Sequence, residues 1–566
     1  MATKKAPRKS APSKPSARAK SAAKASAPKK KGVAPAKKAA AKKPMPAKIA
    51  AKVRSPAPKP RTKSDPAPKA KVPVTAKIAA KPKARAKPAA VPGVRAAPKP
   101  AAKLPGKMPK KSGTPAARTR NILVPPPDVL EDLVARAKAA GATSAEALLM
   151  EQASLSVSYR LGKREDLTRA EGRDVGLRVF IGKQQAMVSS SDASSETLAA
   201  LVERAMAMAR TAPDDPYCGL ADRDMLATKY LDLEVVDTAE PDAEELYARA
   251  AATEDAARAI AGVTNSDGAE AGWRRGVNYL YTSDGFSGSY ASSGFGLSVS
   301  VVAGKDNTME TDHAFSRARF QSDLRSPEDV GTEAGQRAAR RVNPRKIESE
   351  RVPIVFDPRV ANSMLGHLTG AISGPAIARG TSFLRKDMGK AVFAEGITIV
   401  DDPHRKRGLG SRPFDGEGVR TQRMNLVDKG VLKTWLMSTA SARQLELRST
   451  GHASRGINGP PGPSPSNLYM EAGKVTPAEL MADIRSGIYV TDLIGFGINP
   501  VTGDYSRGAA GFRIENGELA YSISEFTIAG NLRDMFLALV PANDLEFRRG
   551  ADAPTIRIDG MTVAGK

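Results

Sequence analysis

Thiol and imidazole are scarce in this chain: 566 residues hold one cysteine, Cys218, and four histidines, His313, His367, His404 and His452. A lone thiol forms no intrachain disulfide and no thiolate metal cage, which fits a reducing, cytoplasmic compartment. No run of about 18 apolar residues occurs, so no membrane-spanning helix is expected. No apolar core of about 7–15 residues follows Met1, so a secretory signal is not expected either. The nucleophile elbow G-x-S-x-G, the phosphate loop G-x-x-x-x-G-K-[S/T] and the zinc motif H-E-x-x-H are all missing. Gly294-Phe295-Gly296 and Gly495-Phe496-Gly497 lack the third glycine of a dinucleotide loop and read as turn or strand glycines.

Acid is absent from one region in particular. Residues 1–120 carry 36 Lys and Arg against a single acid, Asp65, a net of +35, and contain no Phe, Tyr or Trp. The remaining 446 residues carry 52 bases and 59 acids, a net of −7. The basic balance of the whole chain is therefore that of a polycation joined to a mildly acidic body. A segment built from Lys, Ala, Pro and Ser buries too little apolar surface to offset its chain entropy, so residues 1–120 read as a disordered tail. Its composition is similar to the tails of linker histones and bacterial histone-like proteins. Lys4, Lys5, Arg8 and Lys9 exemplify side chains that would hold DNA or RNA phosphates without sequence preference.

Order is expected from about Asn121. Val129, Leu130, Leu133, Val134 and Ala137 recur at helical spacing, with Gly141 closing that helix. Ser154 to Leu161 alternates as a strand. Gly176 to Ile181 and Gln184 to Ser189 read as a hairpin turning at Gly182-Lys183. Helices are expected over Ser195–Thr211, within Ala243–Ala261, and over Pro327–Val342. Between them, Leu297, Val299 and Val301 alternate as a half-exposed strand, and Ser266-Asp267-Gly268 and Ser283-Asp284-Gly285 read as turns. After Val352–Phe356 an Ala/Gly/Ser-rich segment runs from Pro358 to Gly380. Short strands and Gly/Pro turns follow Ile397, interrupted by helical patches at 438–446 and 477–486. The fold class is α+β: a basic tail (1–120), an N-terminal α+β domain (121–345), and a C-terminal domain (346–566) dominated by an antiparallel, barrel-like sheet.

Asp401-Asp402-Pro403-His404 is the densest set of metal donors in the sequence, and reads as a polar turn before Arg405-Lys406-Arg407. Around His367, the glycines Gly366, Gly370 and Gly374 and Ala371 would let a second backbone approach, offsetting about 1 kcal/mol of lost helix propensity per glycine.

Several ordered segments together resemble one family. They are Gly370-Ala371-Ile372-Ser373-Gly374, Arg379-Gly380-Thr381-Ser382-Phe383-Leu384, Gly396-Ile397-Thr398-Ile399-Val400-Asp401-Asp402-Pro403, Ser449-Thr450-Gly451-His452-Ala453, Ser466-Asn467-Leu468-Tyr469, Gly487-Ile488-Tyr489-Val490 and the hairpin Gly176 to Ser191. Over residues 121–566 these resemble the TldD/PmbA family. The resemblance implies proteins once described as modulators of DNA gyrase and understood as subunits of a two-protein metallopeptidase that degrades unfolded or flexible peptides. One subunit type, TldD, carries H-E-x-x-x-H on a helix and a later cysteine, which bind zinc. Aligned on Arg379-Gly380-Thr381-Ser382, the histidines fall at Leu365 and Gly370 and the glutamate at Gly366, and no cysteine follows Cys218. The chain therefore resembles the other type, PmbA or TldE. The resemblance implies no metal and no catalytic residue in this chain, zinc in a TldD-like partner, and unfolded peptide as substrate. Partner contact is expected at the glycine-rich helix and at the loop Arg405 to Arg412. Two other readings remain: a nonspecific nucleic-acid-associated protein acting through its tail, and a pure scaffold.

Overall fold

The computed structural model describes residues 128–566, so Lys4, Lys5, Arg8, Lys9 and the rest of the basic tail lie outside the described residues. Helix α1 (Asp128–Ala139) has acids Asp128 and Glu131 in its first turn and bases Arg136 and Lys138 in its last, as the helix dipole favours. It buries Leu130, Leu133, Val134 and Ala137, the apolar stripe read from the sequence. Gly141 leaves the helix at φ +98°.

Strands β1 (Ser144–Arg160), β2 (Lys163–Ile181) and β3 (Gln184–Ser190) follow, then helix α2 (Ser195–Thr211), capped by Ser194 accepting from the Thr197 N–H. Helix α3 (Ala243–Arg258) precedes strands β4 (Val263–Thr282), β5 (Ser287–Ala303) and β6 (Glu310–Ala318) and helix α4 (Pro327–Arg341). The six strands make one antiparallel sheet in the order β3-β2-β1-β4-β5-β6. Helices α1 and α2 cover the β1–β3 part through Leu149, Leu177, Leu201 and Met206. Helices α3 and α4 cover the β4–β6 part through Leu246, Leu297, Val301 and Val330.

Two expectations are corrected here. Ser266 to Gly268 is not a turn: it lies inside β4, where the register against β5 shifts between Ser266 and Gly268. The triplet is a bulge that lets one long strand bend. Ser283 to Gly285 does form the β4–β5 turn, with Gly285 at φ +91°. Close glycine packing is found at one of the expected positions, Gly374, where a Cβ would lie 3.1 Å from the Leu436 carbonyl, but not at Gly366 or Gly370, and it recurs elsewhere. It is α4 that presses on α3, where a Cβ on Gly335 would sit 2.6 Å from the Ala257 carbonyl and one on Gly331 would strike that of Thr253.

The C-terminal part opens with β7 (Glu350–Phe356), α5 (Pro358–Ala371) and α6 (Gly374–Ala378). Strands β8 (Ile399–Asp401), β9 (Met424–Asp428) and β10 (Val431–Leu432) follow, then α7 (Thr439–Gln444), β11 (Ala453–Ser454), β12 (Gly462–Pro463), β13 (Leu468–Met470) and α8 (Pro477–Met481). The chain ends with β14 (Ser486–Ile494), β15 (Asp504–Glu515), β16 (Glu518–Asn531), α9 (Leu532–Ala538), β17 (Leu539–Pro541), β18 (Ala551–Asp552) and β19 (Ile556–Ala564). Strands β16-β15-β14-β7-β19 are hydrogen-bonded in that order, and β16 also pairs with β19, so the five close into a barrel. Only β14 and β7 run parallel within it. A second sheet has the order β10-β9-β8-β13-β18. Ile354, Phe356, Ile488, Val490, Ile523 and Ile558 belong to the large core that α5 completes with Met364, Leu365 and Leu368. The α+β class with a C-terminal barrel is the one the sequence implied. Among the described residues no helix is long and apolar enough to cross a membrane.

Candidate functional site

Helix α5 begins where Asp357 accepts from the Arg359 N–H at 2.9 Å and Pro358 takes the first turn, a position that needs no N–H. Its apolar face buries Leu365 completely. Gly366 and Gly370 fall on the opposite, exposed face, and a Cβ on either would meet nothing within 4 Å. At these two positions no second backbone of the described residues approaches; it does at Gly374, whose N–H donates to the Leu436 carbonyl at 2.8 Å. Leu365, Gly366 and Gly370 offer one aliphatic side chain and no side chain at all, so they hold no donor for a metal. Among the described residues no group of three His, Cys, Asp or Glu could hold one. Cys218 is buried far from this helix in sequence, against the Lys183 carbonyl.

His367 projects from α5 onto Tyr505, ring centroids 5.8 Å apart. Burial, with Arg507 nearby, pushes its pKa down to about 4, so the ring is neutral at pH 7. His367 Nε2, Tyr505 Oη and Arg507 Nε are all buried without a hydrogen-bond partner. The end of β14 carries Ile494 (62% exposed) and the β14–β15 connection carries Phe496 (fully exposed). That loop is tied back by the Phe383 N–H donating to the Pro500 carbonyl at 2.8 Å.

Three of the sequence segments singled out above converge on one buried carboxylate. Asp401 accepts from the Ser466 N–H and hydroxyl, both at 2.6 Å, and from His452 Nε2 at 3.2 Å. Burial works against its charge, but the hydrogen bonds from His452 and Ser466 outweigh it and hold the pKa low. Serine, histidine and aspartate meet here, yet serine and histidine both bind the aspartate. His452 turns its other nitrogen to the Thr450 hydroxyl at 2.9 Å, a hydroxyl that also accepts from the Met437 N–H at 2.9 Å, so Ser466 does not face the imidazole and both Ser466 and His452 serve to hold Asp401. Asp402 accepts from the His404 N–H at 2.9 Å, and His404 Nε2 lies 3.1 Å from the Thr421 hydroxyl. Asp402 and His404 thus form a polar turn as read from the sequence, while Asp401 ends β8 as the buried carboxylate described above. The following loop folds onto its own chain: Lys406 and Arg407 pair with Glu234, and Arg407 with Asp323.

A second buried network went unseen in the sequence. Glu146 on β1 pairs with Arg178 on β2 at 3.1 Å and with Arg455 at 2.5 Å. Burial raises its pKa, but the two guanidiniums outweigh that and lower it. Nearby, Asp415 accepts from the N–H groups of Glu417, Val419 and Ala453, each at 2.9 Å, and Glu417 from the N–H and hydroxyl of Thr439. Burial pushes both carboxyls up, and the Asp415 charge pushes Glu417 further. Gly416 and Gly418 frame these acids in the sequence and suggest only a polar turn; burial by residues hundreds of positions away is what changes their chemistry.

The exposed face of β1, β4 and β5, with Gly272, Gly294 and Gly296 at its floor, and the segments around Leu409, Ser466 and Arg549 enclose a groove of about 670 Å³. The floor is open at Gly296, where a Cβ would meet nothing within 4 Å, whereas the Arg274 side chain lies over Gly294 and Leu155 and Ser156 crowd Gly272.

Comparison with known proteins agrees with this architecture. Residues 145–209, 237–342 and 349–565 match, in order, domain 1, the central domain and the C-terminal domain of the PmbA/TldA metallopeptidases. The chain is 37% identical over 424 residues to the metalloprotease PmbA of Escherichia coli O157:H7, covering 75% of this chain and 92% of that protein. A PmbA homologue of Haemophilus influenzae is 38% identical over 425 residues, with the same coverage. A solved structure from Bacteroides thetaiotaomicron, described as a candidate modulator of DNA gyrase, superposes with a TM-score of 0.72 at 25% identity, covering 78% of this chain and 98% of that one. TldE from Thermococcus kodakarensis shares the fold at a TM-score of 0.68 and 21% identity, covering 77% and 100%.

Proposed function

The chain belongs to the PmbA/TldA metallopeptidase family, and from that premise we propose that it is the non-catalytic subunit of a two-protein peptidase. The observation that carries this reading is helix α5. Where the TldD type would place histidine, glutamate and histidine, this helix has a core leucine at Leu365 and bare backbone at Gly366 and Gly370. These residues neither ligate zinc nor move a proton, so a TldD-like partner supplies the metal and the activated water. The open glycine face of α5 and the exposed Ile494 and Phe496 are the surfaces that favour docking of that partner, in place of the self-engaged Arg405 to Arg412 loop. Unfolded or flexible peptide enters the enclosed space and pairs its backbone with an open strand edge, which folded chains cannot do. The single, buried Cys218 is in keeping with a cytoplasmic location.

The test is peptidase activity on an unfolded substrate, with the full chain alone and mixed with the TldD-like chain of its own genome. Activity in the mixture only, lost on chelation, is expected. Chelator-sensitive activity of this chain alone would overturn the reading. The +35 tail favours a second, concurrent role in holding nucleic acid.

A further inference from the structure

One end of the groove turns strongly basic. A pocket of about 210 Å³ shares Arg317, Leu409 and Arg549 with the groove and adds Arg319, Arg405, Lys406 and Arg407. Two of its six cations are neutralised, Lys406 by Glu234 and Arg407 by Glu234 and Asp323. The other four make no direct ion pair with a carboxylate among the described residues. Arg319 is buried and donates to the carbonyls of Ser293, Gly408 and Leu409, none of them charged. Arg317, Arg405 and Arg549 make no side-chain hydrogen bond or ion pair among the described residues. They stack instead: Arg405 lies 3.6 Å over the Phe547 ring, and Arg549 and Arg317 lie 4.6 and 5.3 Å from that of Phe315. A guanidinium stacked by its face keeps its N–H edge free for an anion.

The pocket's own carboxylates fill that role only in part: the charge of Asp552 acts on Arg405 and Arg549, but burial outweighs it. Asp323 is held by both Arg407 contacts at 3.0 Å. Asp552 is committed to the main-chain N–H groups of Arg548, Arg549 and Gly550, at 2.9–3.0 Å. Burial pushes the pKa of Arg405 and Arg549 down despite the Asp552 charge, and that of Arg319 to about 10, as expected of cations withdrawn from water.

We propose that this pocket binds the side-chain carboxylate of an acidic residue in a peptide lying along the groove, so that the protein prefers peptides containing Asp or Glu. The inference rests on the peptide-handling reading above. Guanidinium forks match a carboxylate in two parallel N–H···O bonds. A space of about 210 Å³ takes one side chain. The groove beside it is open at Gly296, so an extended backbone can lie close to β5 there. Neither feature suits a nucleic-acid strand, whose phosphates would need a continuous basic track.

The experiment is equilibrium binding to the full chain by calorimetry, with an acetylated, amidated alanine pentapeptide bearing one central glutamate. Its glutamine counterpart and inorganic phosphate serve as comparison probes. An ionic strength of about 0.5 M shortens the screening length to about 4 Å and suppresses attraction to the tail. The glutamate peptide is expected to bind at least tenfold more tightly than the glutamine peptide. The double variant Arg405→Gln/Arg549→Gln should abolish that difference, with the tail unchanged. Arg317→Gln alters an exposed side chain and should weaken glutamate binding severalfold even if the double variant does not fold. Equal affinity for the two peptides, or a glutamate preference that survives in Arg317→Gln and the double variant alike, overturns the proposal. So does phosphate binding without a glutamate preference. No partner subunit is needed, so this measurement and the peptidase assay can fail independently.

Discussion

Arg455 Nη1 lies 2.5 Å from Glu146 Oε1 across 309 residues of sequence, with both side chains 2% exposed. This ion pair, extended by Arg178, links the first sheet to the segment that follows β11. Deleting one member of a buried pair leaves the other charged and unpaired, at a cost of about 3–5 kcal/mol. Glu146→Ala, which strands two guanidiniums, is expected to lower the thermal midpoint far more than Glu165→Ala, whose Arg160 pair is exposed and screened by water. Differential scanning calorimetry of the two variants side by side checks this. Equal midpoints would deny the pair its structural role.

Glu417, pushed up to about 7, and Asp415, pushed up to about 6, give the fold an unusual pH response. Their pKa values are higher folded than unfolded, so between about pH 4.5 and 7 the folded chain holds protons that the unfolded chain has released. These two groups therefore stabilise least at the top of that window, and their contribution falls as pH rises through it. Glu146, with its pKa lowered, acts in the opposite direction and loses its contribution as pH falls. Glu417→Gln keeps an acceptor for Thr439 and removes the ionisation. Relative to the parent, the variant should gain on the order of 2–3 kcal/mol between pH 5 and pH 8. Denaturant midpoints at the two pH values measure that difference, and an unchanged difference would show that Glu417 does not titrate there.

The glycines of α4 and α5 make opposite predictions from the same substitution. At Gly366 and Gly370 a methyl group meets nothing and φ is unremarkable, so alanine should stabilise the isolated chain by up to about 1 kcal/mol each. At Gly335 the same methyl falls 2.6 Å from the Ala257 carbonyl, so alanine forces α4 off α3 and destabilises by about 1–3 kcal/mol. If the α5 face docks a partner, Gly370→Leu should leave the thermal midpoint intact and reduce mixed-subunit peptidase activity at least tenfold. Full activity in Gly370→Leu would remove α5 from the interface.

These glycines also mark where sequence reading stops. Local signals were legible: the Gly182 turn between β2 and β3, the Ser194 cap and the Leu297, Val299, Val301 stripe depend on neighbours within a few residues. Whether a glycine face meets another helix is a tertiary matter, and Gly331 and Gly335 rather than Gly366 and Gly370 turned out to be covered. Ala145 to Met150 carries Ala, Glu and Leu, which favour helix, yet pairing on both sides makes it the middle of a sheet. Barrel closure depends on Thr527 meeting Ala564, and the Glu146 network on Arg455, neither of which any local pattern announces.

The tail separates from the body by charge, and that gives the last test its sign. Residues 1–120 carry +35 and the rest −7, so duplex DNA should be attracted to the tail and repelled by the body. With about ten phosphates neutralised, the logarithm of the binding constant should fall by about 9 for each tenfold rise in salt. Lacking aromatic side chains, the tail has nothing to stack on bases, so affinity should not distinguish sequences of equal length. Removing residues 1–120 should abolish retention on DNA while leaving partner-dependent peptidase activity unchanged, because helix α5 and the groove lie wholly within the remaining chain. Electrophoretic mobility shift across a salt series, run on both forms, reads the first effect, and the mixed-subunit assay the second. DNA binding that survives truncation would mean that the net charge of the body conceals a local basic surface.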